Sequence, residues 1–192
     1  MSNREIRAIA RKNLGGNIFH STWMLSLAVY LVVYIIVSAA STISGIGGLI
    51  LYGPLTVGMA AYFLALSRSE NAKFEKAFSG FANFGDNLLV GLMPELFIFL
   101  WSLLFVIPGI VKTYSYSMVY YIKNDHPEYD WKDCINESRR IMNGNKMKLF
   151  ALHLSFLGWI LLSFFTFGIG MLWVCPYMEA SNAAFYETIK NK

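Results

Sequence analysis

The stretch MLSLAVYLVVYIIVSAASTI, Met24 to Ile43, holds no charged residue, and after Ser44-Gly45 a second run, IGGLILYGPLTVGMAAYFLAL from Ile46 to Leu66, holds none either. About 20 helical residues cover the roughly 30 Å hydrocarbon layer of a bilayer. Two such runs joined by a short uncharged turn are too long and too apolar for the core helices of a soluble domain. They read as a pair of membrane-spanning helices.

Four more apolar runs follow, at about Leu88 to Val106, Ile110 to Ile122, Leu149 to Phe165 and Ile169 to Phe185. The expected fold is an all-α polytopic helix bundle with six spans, occupying residues 1–192 as a single integral membrane domain. Composition agrees, with 56% hydrophobic and only 15% charged residues. The run from Met24 follows Arg4, Arg7, Arg11 and Lys12, as a signal peptide would, but its length favours an uncleaved first helix.

The net charge of +4 does not point to nucleic acid, because the basic residues flank the apolar runs instead of forming a stripe on a soluble surface. The turns Ser44-Gly45, Ile107-Pro108-Gly109 and Thr166-Phe167-Gly168 carry no charge. Every lysine and arginine except Lys112 lies in the N-terminal arm, the segments Arg68 to Asp86 and Lys123 to Lys148, or the C-terminal tail. The positive-inside rule therefore places both termini and both long loops in the cytoplasm. Lys112, one turn below Pro108, reads as snorkelling outward. The fourth run is short, which calls for tilt, thinning of the bilayer or a re-entrant path.

The order of parts repeats. Units at about 4–66, 73–122 and 132–189 each run basic amphipathic stretch, Gly/Asn punctuation, apolar run, uncharged turn, apolar run. Ile6, Ile9 and Ala10 share one helical face, as do Phe74, Ala77, Phe78 and Phe81, and Trp131, Cys134, Ile135, Ile141 and Met142. Gly15-Gly16-Asn17, Gly85-Asp86-Asn87 and Gly144-Asn145 mark corners where the chain enters the bilayer, since glycine readily takes the left-handed conformation that ends a helix. Arg11 to Asn17 aligns without a gap over Arg139 to Asn145. This pattern predicts three hairpins, each preceded by a cytoplasmic helix lying on the membrane surface.

Chemistry inside the apolar runs is sparse. Glu95 and Glu179 lie beside Pro94 and Pro176 at similar depth, and a charge at a span centre costs about 2.5 to 3.5 kcal/mol on insertion scales. With Tyr114, Tyr116 and Ser117 they form the candidate intramembrane polar site, for a cation or a proton. The hydroxyls of the fourth run also serve as ordinary interhelical glue. The candidate lipid or partner face comprises Arg7, Arg11, Lys73, Lys76, Arg139, Arg140 and Lys146. Zinc-pair, nucleophile-elbow and phosphate-loop motifs are absent. His20, His126 and His153 have no ligand spacing, and Cys134 and Cys175 form no disulfide framework or metal motif. No catalytic residue, metal or cofactor is expected. Trp23 at the inner end of the first span and Trp173 near the outer turn suit the interfacial belt.

From Tyr114 to Glu187 the chain resembles a bacterial membrane family catalogued as domain of unknown function nine-seven-five. The resemblance rests on Tyr116-Ser117, Tyr121-Ile122, Asp125-x-Pro127, Ser138, Met142-x-Gly144-x-Lys146, Leu154-Ser155-Phe156-x-Gly158-Trp159, Pro176-Tyr177, Ala184, Phe185 and Tyr186. The first 110 residues match in layout alone. The resemblance implies a bacterial multi-pass cytoplasmic (inner) membrane protein without an established activity. Within it, Asp125-His126-Pro127 breaks the chain, and Asp130 is placed to cap the helix that follows.

The residues favour a non-enzymatic membrane protein that recognises lipid, or a membrane or cytoplasmic protein partner, through basic helices at the cytoplasmic face. A small transporter or channel using the two carboxylates is the alternative. An intramembrane enzyme has no specific support.

Overall fold

A computed structural model of the protein describes residues 1–191, and no strand occurs among them. The chain forms α1 (Asn3–Asn13), α2 (Ser21–Ile43), α3 (Gly45–Ser67), a 3-10 segment (Phe74–Phe81), α4 (Phe84–Leu104), α5 (Val106–Tyr116), α6 (Val119–Asp125), α7 (Trp131–Ile141), α8 (Lys146–Leu154), α9 (Leu157–Phe164) and α10 (Met171–Ile189). Four segments are long and apolar enough to cross a membrane: Ser21–Ile43, Ile46–Ser67, Phe84–Leu104, and Lys146–Phe164 through α8 and α9.

Helix α3 is the hub. Its Leu55, Tyr62 and Phe63 are fully buried, and it packs against α2, α4, α6, α10 and the 3-10 segment. Large apolar side chains remain exposed at the chain reversals, at Ile43 and Ile46, from Leu103 to Ile107, and at Phe164, Phe165 and Phe167. Patches of this kind are foreign to water-facing surfaces and natural against lipid.

The caps follow the local sequence. Ser44 ends α2 and starts α3, its Oγ accepting the Gly47 N–H at 2.9 Å. Asp130 caps α7 in a reciprocal box with Asp133, as expected from its position. Gly15, Gly16 and Gly144 take positive φ of 96°, 77° and 75°, making the first and third corners. Gly85 makes no corner, because α4 already begins at Phe84. The next break comes at extended Phe105 and not at Pro108. Pro108 falls in the first turn of α5, where a missing N–H leaves no helical bond unmade.

The structure redraws two of the expected surface helices. In α1 the buried stripe is Ile6, Ala10 and Leu14, while Ile9 is exposed. The second stretch is a 3-10 segment docked along the middle of α3. Ala77 is fully buried there, and Gly58 and Gly80 sit so close to the opposing backbones that a Cβ on either would collide with a carbonyl of Ala77 or Pro54. Absent side chains permit this depth, and alternating phenylalanines do not reveal it.

The fourth apolar run is two helices. Between α5 and α6 the buried Ser138 of α7 donates to the Ser115 carbonyl at 2.8 Å and accepts from the Met118 N–H at 3.3 Å. One hydroxyl thus satisfies both edges of the break, compensating backbone groups that a continuous helix would pair internally.

Candidate functional site

The two candidate carboxylates occupy different environments. Glu95 is exposed on α4, and its Oε1 accepts from the Tyr52 hydroxyl of α3 at 3.4 Å. Glu179 is half-buried on α10, and its Oε2 accepts from the Tyr121 hydroxyl of α6 at 3.4 Å. They are not bonded to each other.

Tyr114, Tyr116 and Ser117 do not join them. The Tyr114 hydroxyl lies 3.5 Å from His153 Nδ1, and Ser117 bonds the Tyr114 carbonyl. Tyr116 is buried, with the Lys112 ammonium 5.8 Å from its ring centroid. The tyrosines that do hold the carboxylates are Tyr52 and Tyr121. Tyr121 belongs to the family-like motif, and Tyr52 stands two residues before Pro54. Neither signal shows which way a side chain points.

The basic residues separate into kinds. Lys76 pairs with Glu70 at 3.0 Å and Arg140 with Glu137 at 2.6 Å. Lys73 is exposed. Arg139 and Lys146 line one cleft together with Lys112. Lys112 thus borders α7 as well as α4. Its Nζ lies 4.8 Å from the Trp101 ring centroid, so it gains cation–π contact there.

Arg4, Arg7 and Arg11 project from α1 along a cleft of about 340 Å³ shared with Trp23, Trp159 and Trp173. Trp173 lies beside Trp23 in this cleft, so the two do not mark opposite faces of the bundle. Arg7 is held in place: its Nη1 donates to the Ser155 carbonyl at 3.1 Å, and its own carbonyl accepts the Tyr177 hydroxyl at 3.1 Å. Among the described residues ion pairs involve Arg68, Lys76, Lys123, His126, Arg140 and Lys190, and none involves Arg4, Arg7 or Arg11.

A polar clamp ties the ends of α3, α6 and α10. Arg68 Nη2 reaches both oxygens of Asp125 at 2.6 and 2.8 Å, and its Nε donates to Glu187 at 2.9 Å. Tyr186 donates to Asp125 at 3.0 Å, and Lys190 lies 3.4 Å from it. Partial burial opposes the Asp125 charge, but the bonds to Arg68 outweigh it and hold the carboxyl below its ordinary value. The clamp is thus in force above the unfolded carboxylate value of about 3.9 and is lost as pH falls through the lower native value. An Asp125→Asn variant should lack that acid-labile share. Its thermal midpoint should fall less between pH 5 and pH 3 than that of the wild type.

The histidines are engaged apart from one another. His20 Nδ1 caps α2, His126 stacks on Tyr129 with centroids 4.5 Å apart, and His153 Nε2 meets Asn182 at 2.9 Å. Burial pushes the Cys134 thiol up to about 12, consistent with a packed and unreactive side chain.

No curated protein and no solved structure matches the chain. A family model described as "Protein of unknown function (DUF975)" matches residues 1–115 and 105–192. The match brings in the first half, where the residues show resemblance in layout alone. The two matches together run from residue 1 to residue 192, and the chain belongs to the DUF975 family.

Proposed function

We propose that this protein is a non-enzymatic integral protein of the bacterial cytoplasmic membrane that recognises anionic lipid at its cytoplasmic face. The observation that carries the reading is the α1 surface, where Arg4, Arg7 and Arg11 lack ion-pair partners among the described residues and border an aromatic cleft. A Lys or Arg beside anionic lipid is worth about 1 kcal/mol, and unpaired arginines retain that attraction in full.

In this reading the chain crosses six times as three hairpins, with both termini in the cytoplasm and α5 with α6 as the short fourth crossing. Packing supports the repeat. Helix α1 rests on α10, the 3-10 segment on α3, and α7 on α6, so each leading segment leans on the second helix of another unit. The aligned pairs Ile6 and Cys134, Ala10 and Ser138, and Leu14 and Met142 are all buried, and Gly16 and Gly144 both take positive φ.

The test is thermal stability of the purified chain in phosphatidylglycerol against phosphatidylcholine nanodiscs. The wild type should melt several degrees higher with phosphatidylglycerol. Joint replacement of Arg4, Arg7 and Arg11 by glutamine should erase the difference, whereas Glu179→Gln should keep it. No lipid dependence in the wild type sinks the reading and leaves a protein partner for the basic face.

A transporter is the second reading, favoured by the tyrosine-held carboxylates on two helices that both pack against α3. Proton or cation flux into proteoliposomes that Glu179→Gln abolishes would establish it.

A further inference from the structure

We infer that the cleft between α1 and α10 is a site for one anionic phospholipid, with its phosphate on Arg7 and the indole N–H groups of Trp23 and Trp173 and an acyl chain along Trp159. This deepens the lipid reading above and rests on it, replacing diffuse attraction with a single site.

Three buried donors point to an acceptor. Arg7 Nε, Trp23 Nε1 and Trp173 Nε1 are all shielded from solvent and all lack a hydrogen-bond partner, and all three residues line this one cleft. Trp23 is only 3% exposed. A buried donor left unmade costs about 1 to 3 kcal/mol, so three in one cleft form an unusual concentration of unmet demand. Each is an N–H group, so the complementary atom is an acceptor oxygen.

Charge narrows the ligand to an anion. Arg4 and Arg11 flank Arg7 one turn away on either side, so three guanidinium groups face the cleft. The Arg7 side chain is already fixed through Nη1 on the Ser155 carbonyl and by the Phe156 ring, 5.9 Å from its Cζ. Its Nε edge is left for a phosphate, and arginine meets phosphate with two parallel bonds from such an edge.

Shape and polarity narrow it to an amphiphile. Apart from the arginines the walls are aromatic and aliphatic, and Trp159, on apolar α9, is 49% exposed. Leu161 and Leu162 continue that exposed apolar surface. A free phosphate would use the arginines and the two indole N–H groups and leave Trp159, Ile18 and Val174 bare. A phospholipid uses both sets.

Native mass spectrometry of the full chain in detergent, titrated with phosphatidylglycerol or phosphatidylcholine, counts retained lipids. The wild type should retain one phosphatidylglycerol at concentrations where phosphatidylcholine is not retained. Arg7→Lys keeps the charge and loses the fork, and should weaken that first binding about tenfold. Trp23→Phe keeps a ring without the N–H and should weaken it several-fold, which preserves the test if Arg7→Lys fails to fold. Lys132→Gln, on exposed Lys132 of α7 outside this cleft, should leave it unchanged.

Equal weakening by Lys132→Gln and Arg7→Lys overturns the single site while the broader lipid reading stands. Wild-type protein with no preference between the two lipids overturns both. Displacement of phosphatidylglycerol by millimolar inorganic phosphate, with no retained acyl chain, assigns the cleft to a soluble phosphate and overturns the lipid assignment. Binding unaffected by both Arg7→Lys and Trp23→Phe places the lipid elsewhere.

Discussion

Gly91→Val is expected to abolish the folded bundle, and Gly91→Ala to lower its stability by about 1 to 3 kcal/mol, the usual cost of overpacking. The helices α3 and α4 touch backbone to backbone at Gly53 and Gly91. A Cβ on Gly91 would overlap Gly53 itself, and one on Gly53 would overlap the backbone of Asn87 and Leu88. No flexible side chain stands there to move aside. Small residues at such crossings let helices in lipid gain dispersion contact that larger ones prevent. Gly85 lies in the same helix with nothing within 4 Å of a built Cβ. Gly85→Ala should therefore be neutral or slightly stabilising, since alanine is the better helix former by about 0.5 to 1 kcal/mol. Thermal unfolding in detergent separates the cases. Equal midpoints for Gly85→Ala and Gly91→Ala would mean the close crossing is not what holds α3 to α4.

The second large effect is expected at Lys123. As a flanking basic residue it would belong in water, yet it is only 4% exposed. Its Nζ donates to the carbonyls of Pro127 and Tyr129 at 2.9 and 2.7 Å, with Asp86 Oδ2 at 4.0 Å. The ammonium thus closes the corner that Asp125-His126-Pro127 opens. Lys123→Met keeps the stem packing and removes the donor from both part-buried carbonyls, which should cost about 2 to 4 kcal/mol at about 1 to 2 kcal/mol for each. The corner should also become a protease-sensitive point between α6 and α7. Exposed Lys132 on α7, replaced the same way, should stay within about 0.5 kcal/mol of wild type. A Lys123→Met protein as stable and protease-resistant as the wild type would show that the two carbonyls find water instead.

Both effects sit on contacts between elements, and this marks where reading the residues stops. Glu95 and Glu179 look alike in sequence, each next to a proline inside an apolar run. One ends up exposed and the other half-buried because α4 presents its far face outward, while α10 is enclosed by α1, α2 and α3. The basic residues also look alike in sequence. Arg140 is neutralised by Glu137 three residues before it, a partner the spacing does show. Arg68 finds Asp125 and Glu187 far along the chain. The arginines of α1 were legible as basic residues of one amphipathic helix, and the tryptophans that line the cleft beside them were not.

The sequence alone determined what depends on single segments. Apolar length set the four membrane-compatible segments, the uncharged Ser44-Gly45 turn set the first reversal, Asp130 set a cap, and Gly15, Gly16 and Gly144 set corners. Each follows from hydropathy or from the φ range of one residue, and neither needs a partner to act. Only the tertiary structure decided which side chains meet. It split the fourth run after Tyr116 with Ser138 of α7 pinning the break, sank the 3-10 segment against α3, buried Lys123, and joined Arg7 to Tyr177 across the length of the chain. Those outcomes turn on helix crossing positions, which small residues such as Gly53 and Gly91 permit by bringing backbones together. Hydropathy carries no record of them, because in lipid the apolar face of a helix is equally satisfied by a neighbour or by an acyl chain.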